Sequence, residues 1–530
     1  MELKVFTADE VYTNVIVDSG KQPEGVELDN PEWRQKNAPA LHRLIEQAQS
    51  ADTTKLEINR EESEALQKEF AAATMGISLG GSTANVIRTI VRNHGHRSVD
   101  VNFLSNISGE DALSSIALQD MERANINALK PQPNKDITPE MGVSYIIKMP
   151  GNRDPLIFTY RGNAKEVLTD KDITLEAVKK AAHDSHIVYM NAALLPKFGT
   201  SIPNHMMELA RGREFWLSMP NHAHFGNEEM SEDEERTSLQ NYIKRANVIT
   251  ADAKKLSDIS GTDAANPQQG LDWLQKQFLH WDNEHGKHLD NPERTPVAFV
   301  TIGTEGKAAI VTKYGTQPID IPMEMGKDVN TLGYDNTAFG EFLTAYLGMI
   351  NIGAPKLPDK ENPHGETAKD AEHRLARFVL KKYTRREAPQ EIYNSELKRN
   401  KKEIIEESRN SIGTVDDGKY KQYENADHEE AKELLWSAVY EHCAEAAMSV
   451  VQSKLRSQQV SPVLGEEITV STGLPAFNSA TRMAKNTLHR MHCSKNGYGH
   501  LYGKNGHRNR FEEGAIKDIK DRALRGDLEI

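Results

Sequence analysis

The stretch at residues 328–343, with the sequence DVNTLGYDNTAFGEFL, decides how this chain is expected to fold. Its first half is polar and contains glycine, and from Ala338 onward apolar residues recur at helical spacing as far as Ile350. The stretch therefore predicts a loop that leads directly into a helix. Such a junction collects backbone N–H groups without helical partners and the positive end of the helix dipole, which favours an anion such as phosphate. A carboxylate there can also act as a base on an attacking hydroxyl.

Outward from this stretch, short apolar runs alternate with helical patterns. The strand-like runs are residues 5–7, 15–17, 101–104, 143–147, 156–159, 187–189, 215–217, 248–249 and 297–300. The helix-like segments are residues 41–47, 84–91, 112–124, 175–182, 202–210, 238–246 and 270–280. This alternation predicts an α/β protein with a parallel sheet.

The composition narrows the classes of function. The 530 residues carry a formal net charge of −13, with a pI of about 5.9, which argues against general binding to nucleic acid or to anionic membranes. No apolar run is long enough for a transmembrane helix, and the N-terminus shows no signal peptide. The two cysteines, Cys443 and Cys493, exclude a disulfide framework. We therefore expect a cytoplasmic protein, with export by a route that needs no N-terminal signal left open.

Two segments break the α/β rhythm. Residues 354–433 are dense in charged side chains, which predicts a solvated helical insertion, or alternatively a module that binds a protein partner. An Ala-rich amphipathic helix at 434–455 then begins a return to the core, which we place at 434–475. Residues 476–530 form a basic C-terminal extension with a group of candidate metal ligands: His489, His492, Cys493, His500 and His507. Their spacing matches no closed zinc pattern, so no metal site is assigned.

The stretch Gly80-Gly81-Ser-Thr-Ala-Asn85 lies between a strand-like run and a helix. Its two glycines allow the backbone to approach a ligand closely, and the amide of Asn85 offers a donor and acceptors to a hydroxyl-rich molecule. On its own, the same pattern is also a common connection between a strand and a helix.

Further short motifs follow in the same order as in one known family. They are the run at residues 7–14, Gly109-Glu-Asp111, Tyr160-Arg161-Gly-Asn-Ala164 and Thr301-Ile-Gly303-Thr-Glu-Gly306. Together with residues 80–85 and 328–343 they resemble the motifs of the ribokinase-like (PfkB) kinases of sugars and nucleosides, and especially adenosine kinase-like members. The resemblance implies a three-layer α/β/α sandwich with a small β lid. The core would occupy residues 1–353, with lid segments at about 18–75 and 143–160.

The resemblance also implies ligands and their sites. ATP and Mg²⁺ would be the cofactors, and a homodimer would pair through the lid strands. The residues that would hold the substrate are Asn14, Gly80, Gly81, Asn85 and Arg161. The residues that would lie at the nucleotide are Asp252, Lys255, Thr301, Gly303 and Gly306.

The chain departs from the family pattern where magnesium and its waters are organised. After the strand at 247–250, Asp252 stands at the family's Asn and Lys255 at its Glu. A lysine cannot hold magnesium-bound water as a carboxylate does. Lys255 would instead neutralise phosphate as a point charge, or it is a surface lysine at a helix start.

The second departure lies in the stretch that opened this section. Alignment without gaps puts Asn336 at the catalytic aspartate, and it puts Tyr334 and Asp335 at the Ala-Gly pair that forms the anion hole after Gly333. Asparagine has no useful basicity. Asp335 is therefore the alternative base. It would reach the catalytic position if the loop were one residue shorter and the helix shifted, or if its side chain folded in from the neighbouring position. Either residue could also be an ordinary helix N-cap.

Two functions follow from these observations. The first is an ATP-dependent phosphotransferase, resembling adenosine kinase, that acts on a hydroxyl of a sugar or nucleoside. The second is a protein that keeps the fold and binds a nucleotide, a nucleoside or a protein partner without phosphoryl transfer.

Overall fold

The structure of the chain is a computed structural model. The residues that it describes are 3–20, 22–73, 76–94, 99–107, 112–132, 137, 140–149, 155–220, 230–279, 281, 296–321, 333–353, 365–380, 382–385, 412–416 and 418–460. No helix within these residues is long and apolar enough to cross a membrane.

Strands and helices alternate along the chain, as predicted. The strands are β1 Leu3–Ala8, β2 Tyr12–Asp18, β3 Lys55–Glu57, β4 Gly76–Gly80, β5 Val99–Leu104, β6 Ile126–Leu129, β7 Met141–Lys148, β8 Leu156–Gly162, β9 Ile187–Asn191, β10 Glu214–Met219, β11 Val248–Asp252, β12 Val297–Ile302, β13 Lys307–Thr312, β14 Gly315–Asp320, β15 Lys382–Arg385 and β16 Ile412–Asp416. The helices are α1 Pro31–Asn37, α2 Pro39–Ser50, α3 Arg60–Glu69, α4 Ser82–His94, α5 Ala112–Arg123, α6 Ala164–Val167, α7 Asp170–Ile173, α8 Glu176–His183, α9 Leu194–Phe198, α10 Ser201–Leu209, α11 Glu232–Ile243, α12 Ala253–Ser260, α13 Pro267–Phe278, α14 Tyr334–Gly353, α15 Ala368–Leu380, α16 Gly418–Asn425 and α17 His428–Val460.

The larger sheet has nine strands in the order β14-β13-β12-β11-β10-β9-β1-β5-β6. From β6 to β12 every neighbouring pair is parallel, and β13 and β14 add an antiparallel edge. The chain runs from β1 outward to β5 and β6 and then returns to β9 on the other side of β1. The predicted α/β class is confirmed, and the direction of winding reverses between β1 and β9.

Helices cover both faces of this sheet, because its central strands are apolar on both sides. One face packs against α8 and α10–α13, with Phe6, Met190 and Leu217 among the strand residues of that core. On the other face, the ring of Phe299 in β12 stacks on Phe342 of α14 with centroids 4.7 Å apart. This is the three-layer α/β/α arrangement that the resemblance implied.

The smaller sheet has five strands in the order β3-β8-β7-β2-β4. The expected lid segment at 18–75 contributes only β3 to it and otherwise forms α1, α2 and α3. These helices pack on one face of the sheet, where Leu41, Leu66 and Phe158 share one core. Amphipathic spacing explains the difference, since the apolar side chains of α2 recur on one helix face and need a sheet to cover. That sheet face is therefore unavailable to a second copy of the chain.

The chain divides into two compact units. The first comprises Met1–Ala345 and Cys443–Thr481, and the second comprises Tyr346–His442 and Arg482–Ile530. In the second unit, Arg374 of α15 holds Glu366 with two contacts of 3.0 and 2.7 Å, and Tyr423 of α16 donates to Glu372 at 2.9 Å. The expected helical insertion at 354–433 thus contains α15 and α16, but it also contains the antiparallel pair β15–β16.

Candidate functional site

The reversal of winding between β1 and β9 marks the place where a ligand site is expected. In open α/β sheets, ligands bind in the crevice at the carboxyl ends of the strands, at the switch point. Asp9 and Glu10 directly follow β1, and Asn191 ends β9. All three side chains are buried. Buried polar groups at this edge indicate a functional site rather than a packing site.

The Gly80–Gly81 turn lies directly against the residues that follow β1. Gly81 has a φ of +105°, which only glycine adopts without strain, and a Cβ there would stand 3.1 Å from the carbonyl oxygen of Glu10. A Cβ at Gly80 would collide with the side-chain amide of Asn14. These glycines therefore allow a close approach to the chain's own residues 10–14, whereas the predicted approach to a ligand stays a prediction.

Helix α4 starts immediately after this turn and is fixed to β1. The hydroxyl of Thr83 donates to Asp9 Oδ2 at 2.5 Å, and the backbone N–H of Asn85 donates to Gly81 at 3.0 Å. Asn85 is half-buried on the first turn of α4. The structure thus brings together Asn14, Gly80, Gly81 and Asn85, four of the five predicted substrate residues.

The N-termini of α4 and α14 meet at this point. The hydroxyl of Ser82 donates to Asn336 Oδ1 at 2.5 Å. Further along the two helices, Gly340 approaches so closely that a Cβ there would collide with the side chain of Thr89. Gly333, with a φ of +77°, provides the turn before α14. Two helix starts therefore point their N–H groups toward the same edge of the sheet.

Asp335 and Asn336 face different neighbours. Asn336 contacts Ser82 beside the glycine turn, whereas Asp335 accepts a hydrogen bond of 2.9 Å from the hydroxyl of Thr301 at the end of β12. Asn336 thus lies on the side of the predicted substrate residues, and Asp335 lies on the side of the predicted nucleotide residues.

Tyr334 does not project its bulk into an open anion hole. Its side chain is 6% exposed. Burial, followed by the nearby charge of Asp335, raises the pKa of the Tyr334 hydroxyl well above its usual range. The hydroxyl faces the backbone amide of Gly306, although no hydrogen bond of good geometry is made among the described residues. Among the described residues, the backbone N–H groups of Gly333 and Tyr334 remain the candidates for the predicted anion hole.

On the nucleotide side, Asp252 is the N-cap of α12. Its Oδ1 accepts from the backbone N–H groups of Lys254 and Lys255 at 2.9 and 3.2 Å. Burial raises the pKa of Asp252, and these N–H groups oppose that rise. Asp252 pairs in register with Thr301, whose hydroxyl donates to Asp335. Magnesium in phosphate sites usually takes one or two carboxylates together with phosphate oxygens, and Asp252 is a candidate for one of them.

Lys255 is neither a surface lysine nor directed at an anion site. It is 8% exposed, and its Nζ donates to Glu235 Oε1 of α11 at 2.8 Å. The alternative of a surface lysine is therefore wrong. Gly303 and Gly306 lie in the turn between β12 and β13, beside Thr301, as a nucleotide site at this edge requires.

A cluster of four charged residues adjoins the glycine turn, and we call it the ionic cluster: Asp9, Glu10, Arg161 and Lys197. Lys197 Nζ lies 3.3 Å from Asp9 Oδ1 and 3.5 Å from Glu10 Oε2. Arg161 Nη2 lies 3.6 Å from the same Glu10 oxygen. The predicted substrate residue Arg161 is thus placed at the crevice, and β1, β8 and α9 together build the cluster.

Several of these residues were not identified from the sequence. Ser82 and Thr83 lie within the stretch Gly80–Asn85 but were given no role of their own, and Lys197 belongs to no motif. Asp9 and Glu10 carried a usable signal, since two acidic residues directly follow a predicted strand at the edge where parallel strands end.

Other predicted positions lie outside the described residues. These are Gly109, Asp111, Asn330, Thr331 and the His/Cys group at 489–507. Within the part of the chain that the structure describes, no three His, Cys, Asp or Glu side chains form a group that could hold a metal by themselves.

Comparison with known proteins supplies relatives by structure alone. Neither a protein-family model nor a curated protein matches the sequence. The chain is similar in structure to the adenosine kinase of Sinorhizobium meliloti, with 15% identity, coverage of 66% of this chain and 88% of that chain, and a TM-score of 0.44. It is also similar to the adenosine kinase of Trypanosoma brucei brucei, with 14% identity, coverage of 65% of this chain and 93% of that chain, and a TM-score of 0.47. A third similar structure is a probable sugar kinase of Rhizobium etli CFN 42, with 17% identity, coverage of 66% of this chain and 87% of that chain, and a TM-score of 0.45.

These solved structures are of the class that the motifs led us to expect. At such identities and TM-scores they assign no role to any residue. The roles proposed below therefore rest on the geometry of this chain.

Proposed function

We propose that this chain is an ATP-dependent phosphotransferase that acts on a hydroxyl of a sugar or nucleoside. The observation that supports it best is the 2.5 Å hydrogen bond between Ser82 and Asn336. It joins the starts of α4 and α14 at the carboxyl edge of the parallel strands, where the N–H groups of two helices can stabilise a transferring phosphoryl group. Phosphoryl transfer depends chiefly on such positioning and electrostatics.

Each side of this junction receives one substrate. Thr301, Gly303 and Gly306 would hold the nucleotide, with Asp252 supplying a carboxylate for Mg²⁺. ATP would supply the phosphoryl group. The acceptor would lie against the glycine turn at Gly80–Gly81, where Asn14, Asn85 and Arg161 provide hydrogen-bonding groups. Asp335 is the candidate base, because it is the carboxylate in the first turn of α14.

A second function is favoured by one specific observation. The residue hydrogen-bonded to Ser82 on the acceptor side is Asn336, which has no useful basicity, while Asp335 is hydrogen-bonded to Thr301 on the opposite side. This arrangement suits a protein that binds a nucleotide or nucleoside without phosphoryl transfer. Capture of a protein partner by residues 354–433, formation of a homodimer and a cytoplasmic location remain predictions from the sequence.

Turnover measurements separate the two functions. ATP hydrolysis and transfer would be measured with Mg²⁺ over a panel of sugars and nucleosides, for the native chain and for Asp335→Asn and Asn336→Ala. A kinase with Asp335 as its base should lose about 100-fold or more in kcat on Asp335→Asn, and much less on Asn336→Ala. Asp184→Asn, an exposed change just before β9 at the opposite edge of the sheet, is the control and should have no effect.

Absence of transfer to every acceptor, together with saturable binding of the nucleotide, would contradict the phosphotransferase and support the binding protein. Equal turnover in the native chain and in Asp335→Asn would contradict the role of Asp335 alone.

A further inference from the structure

In the ionic cluster, the carboxylates are more deeply buried than the cations. The proposed reaction does not by itself require this difference. Asp9 and Glu10 are 0% and 1% exposed, whereas the side chains of Lys197 and Arg161 are 15% and 16% exposed. The carboxylates therefore form the base of the cluster, and the two cations are partly exposed, although the Nη2 atom of Arg161 is itself buried.

The contacts of Lys197 and Arg161 with the carboxylates of the cluster are longer than usual charge-assisted hydrogen bonds. Charge-assisted hydrogen bonds between nitrogen and carboxylate oxygen are usually about 2.7–2.9 Å long, but the contacts here are 3.3–3.6 Å. Arg161 Nη2 and both carboxylate oxygens of Glu10 make no hydrogen bond of good geometry within the described part of the chain, although the Tyr12 hydroxyl faces both residues. A guanidinium has five N–H donors, so Arg161 retains capacity for an acceptor of suitable shape.

Both cations converge on one atom. Lys197 Nζ and Arg161 Nη2 are each within 3.6 Å of Glu10 Oε2. The flat ring of Tyr12, whose centroid is 5.4 Å from Lys197 Nζ, forms one wall beside them. A carboxylate or phosphate has two or more oxygens and can accept from both cations at once, whereas a single hydroxyl cannot.

We propose that Lys197 and Arg161, held by the buried carboxylates of Asp9 and Glu10, bind an anionic group of the acceptor substrate. The ligand chemistry is a carboxylate or phosphate carried by a sugar or nucleoside. This inference rests on the proposed function, because it names the acceptor of that same crevice. Lys197 and Arg161 are the residues that determine specificity, and Asp9 and Glu10 position them.

Binding without ATP tests this directly. Isothermal titration of the full chain would use matched pairs: ribose with ribose 5-phosphate, and glucose with glucuronate. The phosphate and carboxylate arms identify which anion is bound. At least one anionic ligand should bind about tenfold or more tightly than its neutral partner, since one charge-assisted contact is enough for that factor. Raising NaCl should reduce this preference.

Two variants of Lys197 and one control variant test whether the preference for anionic ligands depends on the charge of Lys197. Lys197→Met should abolish the preference while leaving neutral ligands within about twofold, and Lys197→Arg should keep it. Lys313→Met is the matched control, because Lys313 also lies over a tyrosine ring, at 4.7 Å from the centroid of Tyr314, but in the β13–β14 hairpin. If Lys197→Met fails to fold, the charge-balanced double variant Glu10→Gln with Lys197→Met should fold and lose the preference.

Equal affinity for neutral and anionic partners, a preference that survives Lys197→Met, or no saturable binding of any anionic ligand would overturn the inference. Anion preference without ATP turnover would instead contradict only the phosphotransferase. Turnover of a neutral acceptor without anion preference would contradict only this inference.

Discussion

The carboxyl edge of the large sheet has two sides that differ in how their charges are paired. On the β11–β12 side, Lys255 contacts Glu235 at 2.8 Å and Thr301 contacts Asp335 at 2.9 Å. On the β1–β9 side, the ion pairs of Lys197 and Arg161 are 3.3–3.6 Å long. Short buried pairs hold the structure together, whereas longer pairs with exposed cations leave capacity for a ligand. The difference separates a structural lysine from a binding lysine.

The largest expected effect comes from breaking the ion pair between Lys255 and Glu235 on the β11–β12 side. Lys255→Met should lower the free energy of unfolding by about 3–5 kcal/mol, because it removes the 2.8 Å ion pair of the buried Glu235 carboxylate. Urea denaturation of the intact chain measures this loss. The double variant with Glu235→Leu should recover most of it, since neither charge is then buried.

Lys197→Met is the matched change on the β1–β9 side. Its stability loss should be smaller than that of Lys255→Met, because Lys197 is more exposed and Arg161 remains beside Glu10. Its effect on anion binding should be the larger of the two. A greater stability loss for Lys197→Met than for Lys255→Met would remove the distinction between the two sides.

A medium effect is expected where α4 and α14 meet between the two sides. Gly340→Ala should destabilise the chain by about 1–3 kcal/mol, because its methyl group would collide with Thr89. Thermal or urea denaturation measures the change. Gly348→Ala is the control in the same helix, where a Cβ meets nothing within 4 Å, and it should stabilise by about 0.5–1 kcal/mol. Equal effects of both substitutions would show that the helices do not approach closely at Gly340.

The smallest expected effect is a change of stability with pH that arises from His186. This residue lies at the opposite edge of the large sheet, away from both sides compared above. His186 Nδ1 accepts from the backbone N–H of Lys4 at 3.0 Å, and burial, then the charge of Lys4, lowers the pKa of His186. The folded state therefore prefers the neutral ring. This stabilisation is present above the unfolded pKa of about 6.5 and is lost as pH falls through the lower folded pKa.

Unfolding measured between pH 7.5 and pH 5 should show this loss, and His186→Asn should reduce the dependence on pH. An unchanged pH profile in His186→Asn would assign the dependence to other groups.

Much of the fold was predictable from the sequence, because strand and helix periodicities are local. The positions of β1, β9 and α4, and the close approach at Gly80 and Gly81, follow from such patterns. The pairing of charges did not follow, since Lys197 and Asp9 are 188 positions apart and Ser82 and Asn336 are 254 apart. A helix was predicted at 41–47, within α2, but the packing of α1–α3 on the small sheet was not, because a polar, amphipathic segment does not reveal which surface it covers.

The central claim is that the starts of α4 and α14 form one site for phosphate-bearing ligands. Hydrogen exchange, followed by mass spectrometry with and without a non-hydrolysable ATP analogue and Mg²⁺, tests it most directly. We predict slower exchange at both residues 80–85 and 333–339, with α16 unchanged. Slower exchange at neither segment, or only in α16, would contradict the claim.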